Sequence, residues 1–347
     1  MKKKILRALA VLLLCGMLIG SFCACANAKN KKVIATSGEY EIPYEQLRFV
    51  TMTYKMELDG KYGDGNDENG TIWDDPTTAE KHRAELEELV WNTLSENYAL
   101  LAACAAHGIG RDAFEGKEIK KAVDENMKAL LAEYPSKKAF REDLEARYAT
   151  ENLFRFYFAI EEMKYLLHGA MQKDGAFISD EAKFEEWLLD DNCAYVQHFM
   201  LKHETDEEKE ENRAILEDAR QKYILGEWNL GDCINKANDD MTNVSPYFLV
   251  RDVHKDVMVD AAVELERGGD VSEIVEVEGA LYVFICIPQT EVLGPNGTME
   301  TPLSLSLTQL LSNYQWAIVG DAVESSKDSI NIELNDYGKE IDLVAMQ

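Results

Sequence analysis

Histidine is the side chain whose ordinary titration lies closest to neutral pH. This chain has six: His82, His107, His168, His198, His203 and His254. They are scattered, and no pair has the spacing of a metal site. His-Glu-x-x-His, the phosphate-binding Walker loop, Gly-x-Gly-x-x-Gly and Gly-x-Ser-x-Gly are all absent. His198 and His203 lie five apart near the end of a predicted strand, and a regular strand turns them to opposite faces. Cys104, Cys193, Cys233 and Cys286 lie far apart, with no Cys-x-x-Cys pair and no zinc-ligand spacing. Cys104 and Cys286 sit in apolar runs and read as buried thiols. The loop 59–70 is rich in Asp, Asn and Gly. It lacks the ligand order of a calcium-binding loop and reads as a solvated turn, packed down by Trp73. Asp239-Asp240 reads by itself as a carboxylate pair at a helix end or turn. Phe154, Phe156, Tyr157 and Phe158 crowd one helix, which points to packing or to an exposed contact surface.

The elements that must position these residues fall into two regions. Up to about residue 190 the pattern is helical. Predicted helices cover 44–58, 79–107, 118–133, 137–148, 151–172 and 180–189, the last capped by Ser179. In the second, Leu86, Leu89, Val90, Leu94, Tyr98, Leu101 and Ala105 recur at three and four, which makes one apolar face. The character then changes. Strand-like segments at 194–202, 247–250, 274–277 and 281–287 alternate with helical ones at 206–225, 230–238 and 257–265. That β-α-α-β-α-β-β order describes a compact α/β domain with an antiparallel sheet. A helix over 306–326 and a strand over 330–334 follow, and the simplest arrangement returns them to the N-terminal helices.

Composition bounds the function. The chain has 347 residues, with 36 Lys and Arg against 64 Asp and Glu, a formal charge of −28. Its length suits two domains of roughly 100–200 residues each. At 46% hydrophobic it has the material for packed cores, which excludes a disordered chain. The acidic balance excludes nucleic-acid binding, which draws on clustered bases.

The first 28 residues carry Lys2, Lys3, Lys4 and Arg7, no acid, and an uncharged run over 8–26. That reads as an export signal. Its removal takes four of the 36 bases, leaving 32 against 64 acids and a net charge of −32. Phe22-Cys23-Ala24-Cys25 resembles a bacterial lipobox, in which Cys25 is lipidated and becomes the new N-terminus. Cleavage at Ala26-Asn27-Ala28 and an uncleaved anchor are the alternatives.

Three stretches carry a family resemblance. The first runs from Val33-Ile34-Ala35-Thr36-Ser37-Gly38 through Ile42-Pro43-Tyr44-Glu45-Gln46-Leu47. The second is Ile178-Ser179-Asp180-Glu181, a helix, and Tyr195-Val196-Gln197-His198-Phe199-Met200-Leu201-Lys202-His203. The third joins Ala261-Ala262-Val263-Glu264-Leu265, Gly268-Gly269-Asp270-Val271-Ser272, Ile274-Val275 and Leu281-Tyr282-Val283-Phe284-Ile285. In order and spacing they resemble the extracytoplasmic parvulin-type foldases, the PrsA and SurA group.

The resemblance implies an α+β fold. A mainly helical chaperone domain would be formed by 33–190 and 303–347, and a parvulin-like α/β domain over 191–290 would be inserted in it. It also implies a site without metal or cofactor, an apolar pocket beside two histidines and an Asp or Cys. Such a site lowers the barrier of about 18–20 kcal/mol to peptide-bond rotation by gripping the twisted state. His198 falls on the first histidine and Asp240 on the acidic or thiol position. Phe248 falls on a pocket aromatic, with His254 and Met258 near the usual Met and Phe. The second histidine position is Val283, and Leu281 replaces a glycine before it. The expected function is therefore an extracytoplasmic chaperone or foldase for unfolded or nascent exported polypeptides, with a weak or inactive isomerase domain. It would be anchored to the membrane through a lipid on Cys25, and would form a homodimer. The rival readings are an active peptidyl-prolyl isomerase and a surface lipoprotein that binds one specific ligand.

Overall fold

The computed structural model describes residues 29–63, 71–240 and 245–346. The export signal, Cys25 and most of the 59–70 loop lie outside the described residues. The chain divides into two compact units. One runs up to Ala170 and resumes at Asp321; the other is Met171–Gly320.

The first unit begins with β1 (Val33–Ser37) and β2 (Tyr40–Pro43), joined at Gly38, whose φ of 55° is left-handed backbone that glycine adopts without strain. Pro43 stands just outside helix α1 (Tyr44–Tyr62) as its cap. Then come α2 (Ala79–Ala106), α3 (Arg111–Phe114), α4 (Lys117–Leu131), α5 (Lys137–Ala146) and α6 (Glu151–Lys173). The periodic face of α2 is the core: Leu86, Val90, Leu94, Tyr98 and Leu101 are buried. The aromatic crowd on α6 packs within this unit, Phe156 against Tyr98 and Tyr157 against Phe49, each with ring centroids 6.1 Å apart. Trp73 is buried and donates to Asp59 Oδ1 at 2.8 Å, which ties down the start of the acidic loop.

The second unit begins with α7 (Glu181–Leu189), then β3 (Cys193–Lys202), α8 (Asp206–Ile224), α9 (Leu230–Lys236), β4 (Tyr247–Val250), α10 (Asp256–Val263), β5 (Val275–Val277) and β6 (Ala280–Cys286). The order matches the β-α-α-β-α-β-β pattern, and the fold class is α+β. The four strands form an antiparallel sheet in the order β4-β3-β6-β5. Each face has its own core. Phe199, Leu216, Ala219, Cys233, Leu281, Val283 and Ile285 cluster with α8 and α9. Val196, Leu249, Val259, Ala262, Val275 and Phe284 cluster with α10.

A short hairpin, β7 (Val292–Leu293) and β8 (Met299–Glu300), leads into α11 (Pro302–Ser326). This helix starts four residues earlier than the sequence pattern suggests. Proline suits the first helical position, and Thr301 Oγ1 accepts from Ser304 N–H. β9 (Ile332–Leu334) then pairs with β1, giving the sheet order β2-β1-β9, and α12 (Asp336–Lys339) follows.

The two units divide after Ala170 and after Gly320. Both points fall inside helices, α6 and α11, and within the second unit α7 packs on the first half of α11: Tyr314 lies 5.1 Å from the Phe184 ring and 5.0 Å from that of Trp187. Asp180, not Ser179, caps α7, since its Oδ1 reaches Lys183 N–H at 3.0 Å. Cys104 is buried as expected; Cys286, at the end of β6, is only half-buried, and Cys233 is the fully buried thiol of the α/β unit.

Candidate functional site

His198 sits mid-strand on β3. Alternation along a strand sends odd and even residues to opposite faces, and His198 shares its face with Val196 and the α10 core. Across the ladder it faces Phe284, with Tyr282 one even position away. On the other side Val196 pairs with Tyr247. These four rings enclose one another. His198 lies 5.5 Å from Tyr282, 5.6 Å from Tyr247 and 6.3 Å from Phe284, and Tyr282 stacks on Phe284 at 5.8 Å. The histidine side chain is only 2% exposed.

Both ring nitrogens meet a polar group. Nδ1 lies 2.9 Å from the Tyr247 hydroxyl. Nε2 lies 3.3 Å from Asp240 Oδ2. This second approach is close enough for charge attraction, but it lacks the alignment of a hydrogen bond. Burial pushes the His198 imidazole below its ordinary value of 6.5, and the Asp240 carboxylate opposes that shift. Burial raises the Tyr247 and Tyr282 phenols, and Asp240 raises both further.

Asp240 is placed by the segment after α9. β4 covers only the first part of β3, so the later backbone groups of β3 need other partners. Asn238 Oδ1 accepts from Met200 N–H at 3.0 Å, Asp239 N–H donates to Met200 O at 2.8 Å, and Asp239 Oδ2 accepts from Lys202 N–H at 2.9 Å. Asn238 Nδ2 then donates to the Asp240 carbonyl at 2.6 Å. Two side chains thus act as a surrogate strand and deliver the carboxylate to the imidazole.

The other candidates are placed differently. Phe248 pairs with Tyr195 across the ladder, rings 4.6 Å apart, on the face away from His198. It therefore does not line a site with that histidine. Val283 pairs with Phe199 and is fully buried in the α8–α9 core, so a histidine there would not face His198 either. The residue beside His198 on β6 is Tyr282. His254 Nδ1 accepts from Val250 N–H at 3.0 Å and closes the turn after β4, where Asp252 has a φ of 63°. Burial lowers its imidazole too. Its ring is 6.5 Å from that of Tyr247. Met258 packs against the α10 core. Tyr247 and Tyr282 are the site residues that sequence reading missed, the first one position before Phe248 and the second one position before Val283, where the resemblance places a lost histidine. Strand alternation counted from His198 is the signal that finds Tyr282.

Among the described residues no group of three His, Cys, Asp or Glu side chains could hold a metal ion. Burial pushes the Cys233 thiol up to about 11, which disfavours the reactive thiolate. The arrangement offers an imidazole between a phenol and a carboxylate, on an aromatic floor, with burial favouring its neutral form.

Solved structures of PrsA- and SurA-like proteins align with most of the chain at low similarity. A peptidylprolyl isomerase, PrsA of Bacillus cereus, is 12% identical over 89% of this chain and 96% of its own, with a TM-score of 0.32. The foldase protein PrsA of Streptococcus pneumoniae is 14% identical over 88% and 97%, with a TM-score of 0.30. A structure from work on two SurA-like chaperones of Campylobacter jejuni is 12% identical over 88% and 99%, with a TM-score of 0.28. No protein-family model matches the chain, and no curated protein matches it.

Proposed function

We propose that this chain is an extracytoplasmic folding helper that holds unfolded exported polypeptides. In this reading it is tethered through a lipid on Cys25, and its α/β unit is a parvulin-like domain kept for binding, with little or no isomerase activity. The observation that carries the reading is the state of His198. The imidazole lies beside the acid that the resemblance pairs with it, yet it is shut in by Tyr247, Tyr282 and Phe284. A substrate peptide would have to displace an aromatic ring to reach it. Exposed apolar side chains such as Leu189, Leu293 and Met299 offer area for weak, broad contacts, and the excess of acid favours solubility.

The test has two arms. The chain should delay aggregation of several unrelated unfolded proteins, while a proline-containing tetrapeptide should isomerise at the buffer rate. Protection of no client, with tight binding to one partner, would replace this reading with that of a specific surface lipoprotein. A second reading, the active isomerase, is favoured by the 3.3 Å approach of His198 to Asp240. It requires turnover that His198→Ala or Asp240→Ala abolishes.

A further inference from the structure

We propose that residues 29–32 are a docked basic foot, on which the β1–α12 end of the first unit rests against an anionic lipid surface. The inference goes beyond the folding-helper reading and rests on it only for a membrane anchor at or before Cys25.

The segment is bolted to the fold. Asn30 is buried. Lys29 O accepts from Lys32 N–H at 3.1 Å, and Lys32 O accepts from Tyr44 N–H at 2.8 Å, at the head of α1. The Lys29 ammonium stands 4.7 Å from the centre of the Tyr44 ring, and that of Lys32 stands 3.2 Å from the centre of the Tyr337 ring on α12. Such contacts hold a lysine stem and leave its charge in place. Just beyond, Asn335 donates to Val33 O through its side chain at 2.8 Å and to Ile34 O through its backbone at 3.0 Å. Only three residues separate Lys29 from Cys25. Those four steps of chain reach at most about 14 Å, less than two screening lengths at physiological salt. An anchor at Cys25 therefore brings this end of the unit to the lipid headgroups.

Charge identifies the partner. Residues 1–38 carry seven bases and no acid, and the first acid of the chain is Glu39. Past Cys25 those bases are Lys29, Lys31 and Lys32. All three are exposed, and none forms an ion pair with a described residue. Glu45, on which Lys31 acts, is buried and bonded to Thr150. α12 adds Asp336 and Lys339, which cancel. The remainder of the chain is strongly acidic, so an anionic surface repels it. Attraction is thus confined to the foot, where the lysines lie close enough to the lipid for screening to spare it. An anionic bilayer pulls the foot down and turns the acidic surface outward; a neutral one does neither.

The full chain, expressed with its own signal, is first recovered from the membrane fraction, which reads the anchor alone. It is then inserted from detergent into an equal mixture of phosphatidylcholine vesicles and vesicles that also contain anionic phosphatidylglycerol, and the two are separated by density. Wild type should collect on the anionic vesicles, and the preference should fade as salt rises. Lys29→Gln, Lys31→Gln and Lys32→Gln together should shift the partition toward the neutral vesicles by roughly a hundredfold, about fivefold for each lysine. Arg at the same three positions should keep the partition within about twofold, since the charge is retained. Lys117→Gln, Lys120→Gln and Lys121→Gln, an equal charge change on the exposed side of α4, should move it less than about threefold. No preference in wild type, an unmoved partition in the first Gln variant, or an equal shift from the α4 variant would each overturn the proposal. So would a preference that follows the density of chains rather than the lipid, which would assign the foot to a second copy. A chain found wholly in the soluble fraction would overturn the anchor and the foot together; an anchored chain without preference would overturn the foot alone. Neither arm reads client protection.

Discussion

The two faces of the four-stranded sheet are built from the same strands and differ in kind. On the face toward α8 and α9, Phe199, Leu281, Val283 and Ile285 form a dry apolar layer. On the other face, His198, Tyr247 and Tyr282 set polar atoms among apolar neighbours, with Asp240 brought in from a loop. Neighbouring residues therefore have opposite duties: His198 belongs to the site and Phe199 to the core; Tyr282 to the site and Val283 to the core. The first face is held by burial of area, which forgives chemistry only within apolar limits. The second has an apolar core of its own under α10 and adds a polar cluster, in which His198 Nδ1 meets the Tyr247 hydroxyl and Nε2 lies near Asp240.

The largest test of this division is Phe199→Ala. Deleting a fully buried phenyl ring should cost about 3–5 kcal/mol, the transfer loss plus the cavity. Hydrogen exchange of the β3 and β6 amides measures it as local opening free energy. A cost below about 1 kcal/mol would show that this face is not the structural one.

Next in size is a paired replacement. Val283→His should cost about 2–4 kcal/mol, because it overfills the α8–α9 core and buries ring nitrogens without partners. Tyr282→His places the same side chain on the half-buried polar face and should cost less than about 1.5 kcal/mol. Equal costs at the two positions would break the contrast between the faces.

This pair also marks how far the site was legible in the sequence. The element order of the α/β unit was legible, because periodicity and turn residues are local. So was the core face of α2. The His198–Asp240 approach was reachable only through resemblance, since 42 positions separate the two in the chain. Of the aromatic partners, Phe248 was chosen where Tyr247 stands beside His198, and Tyr282 went unnoticed next to Val283, the position matched to the family's second histidine. In a strand a slip of one moves a side chain to the other face. The hairpin β7–β8 was missed because its strands are two residues long, too short for alternation to register. The ring cluster of Phe184, Trp187 and Tyr314 joins segments more than 120 residues apart, which no local pattern reveals.

Acid should separate the units more gently. The folded-state titrations of His198 and His254 are lowered by burial, so each favours the neutral form in the native state. Their contribution is whole above the unfolded value near 6.5 and is lost as pH falls through the folded values. In the first unit Glu45 is buried at the start of α1, where Thr150 Oγ1 donates to it at 2.5 Å, and burial raises its carboxyl above the ordinary 4.5. Its neutral form is the one favoured by folding. That contribution is present at low pH and is lost as pH rises through the raised value. Between pH 7 and pH 5, exchange protection should therefore fall in β3 and β6, and the amides at the start of α1 should gain protection or hold it. Parallel loss in both regions would contradict the opposite signs of the two shifts.

The smallest expected effect probes how Asp240 is delivered. Asn238→Ala removes the acceptor for Met200 N–H and the donor to the Asp240 carbonyl. Two hydrogen bonds of roughly 0.5–1.5 kcal/mol each are lost, partly replaced by water at this half-buried edge, for a net cost of about 1 kcal/mol. The Met200 amide should then exchange roughly fivefold to tenfold faster, since about 1.4 kcal/mol is a factor of ten. The amide of Val283, inside the ladder between β3 and β6, should keep its protection. The His198 titration should drift downward, because loosening Asp240 weakens the attraction that opposes burial, while Tyr247 and the aromatic floor stay in place. If Met200 and Val283 instead lost protection together, the surrogate strand would be part of the sheet's cooperative core, and the two faces would have to be treated as one.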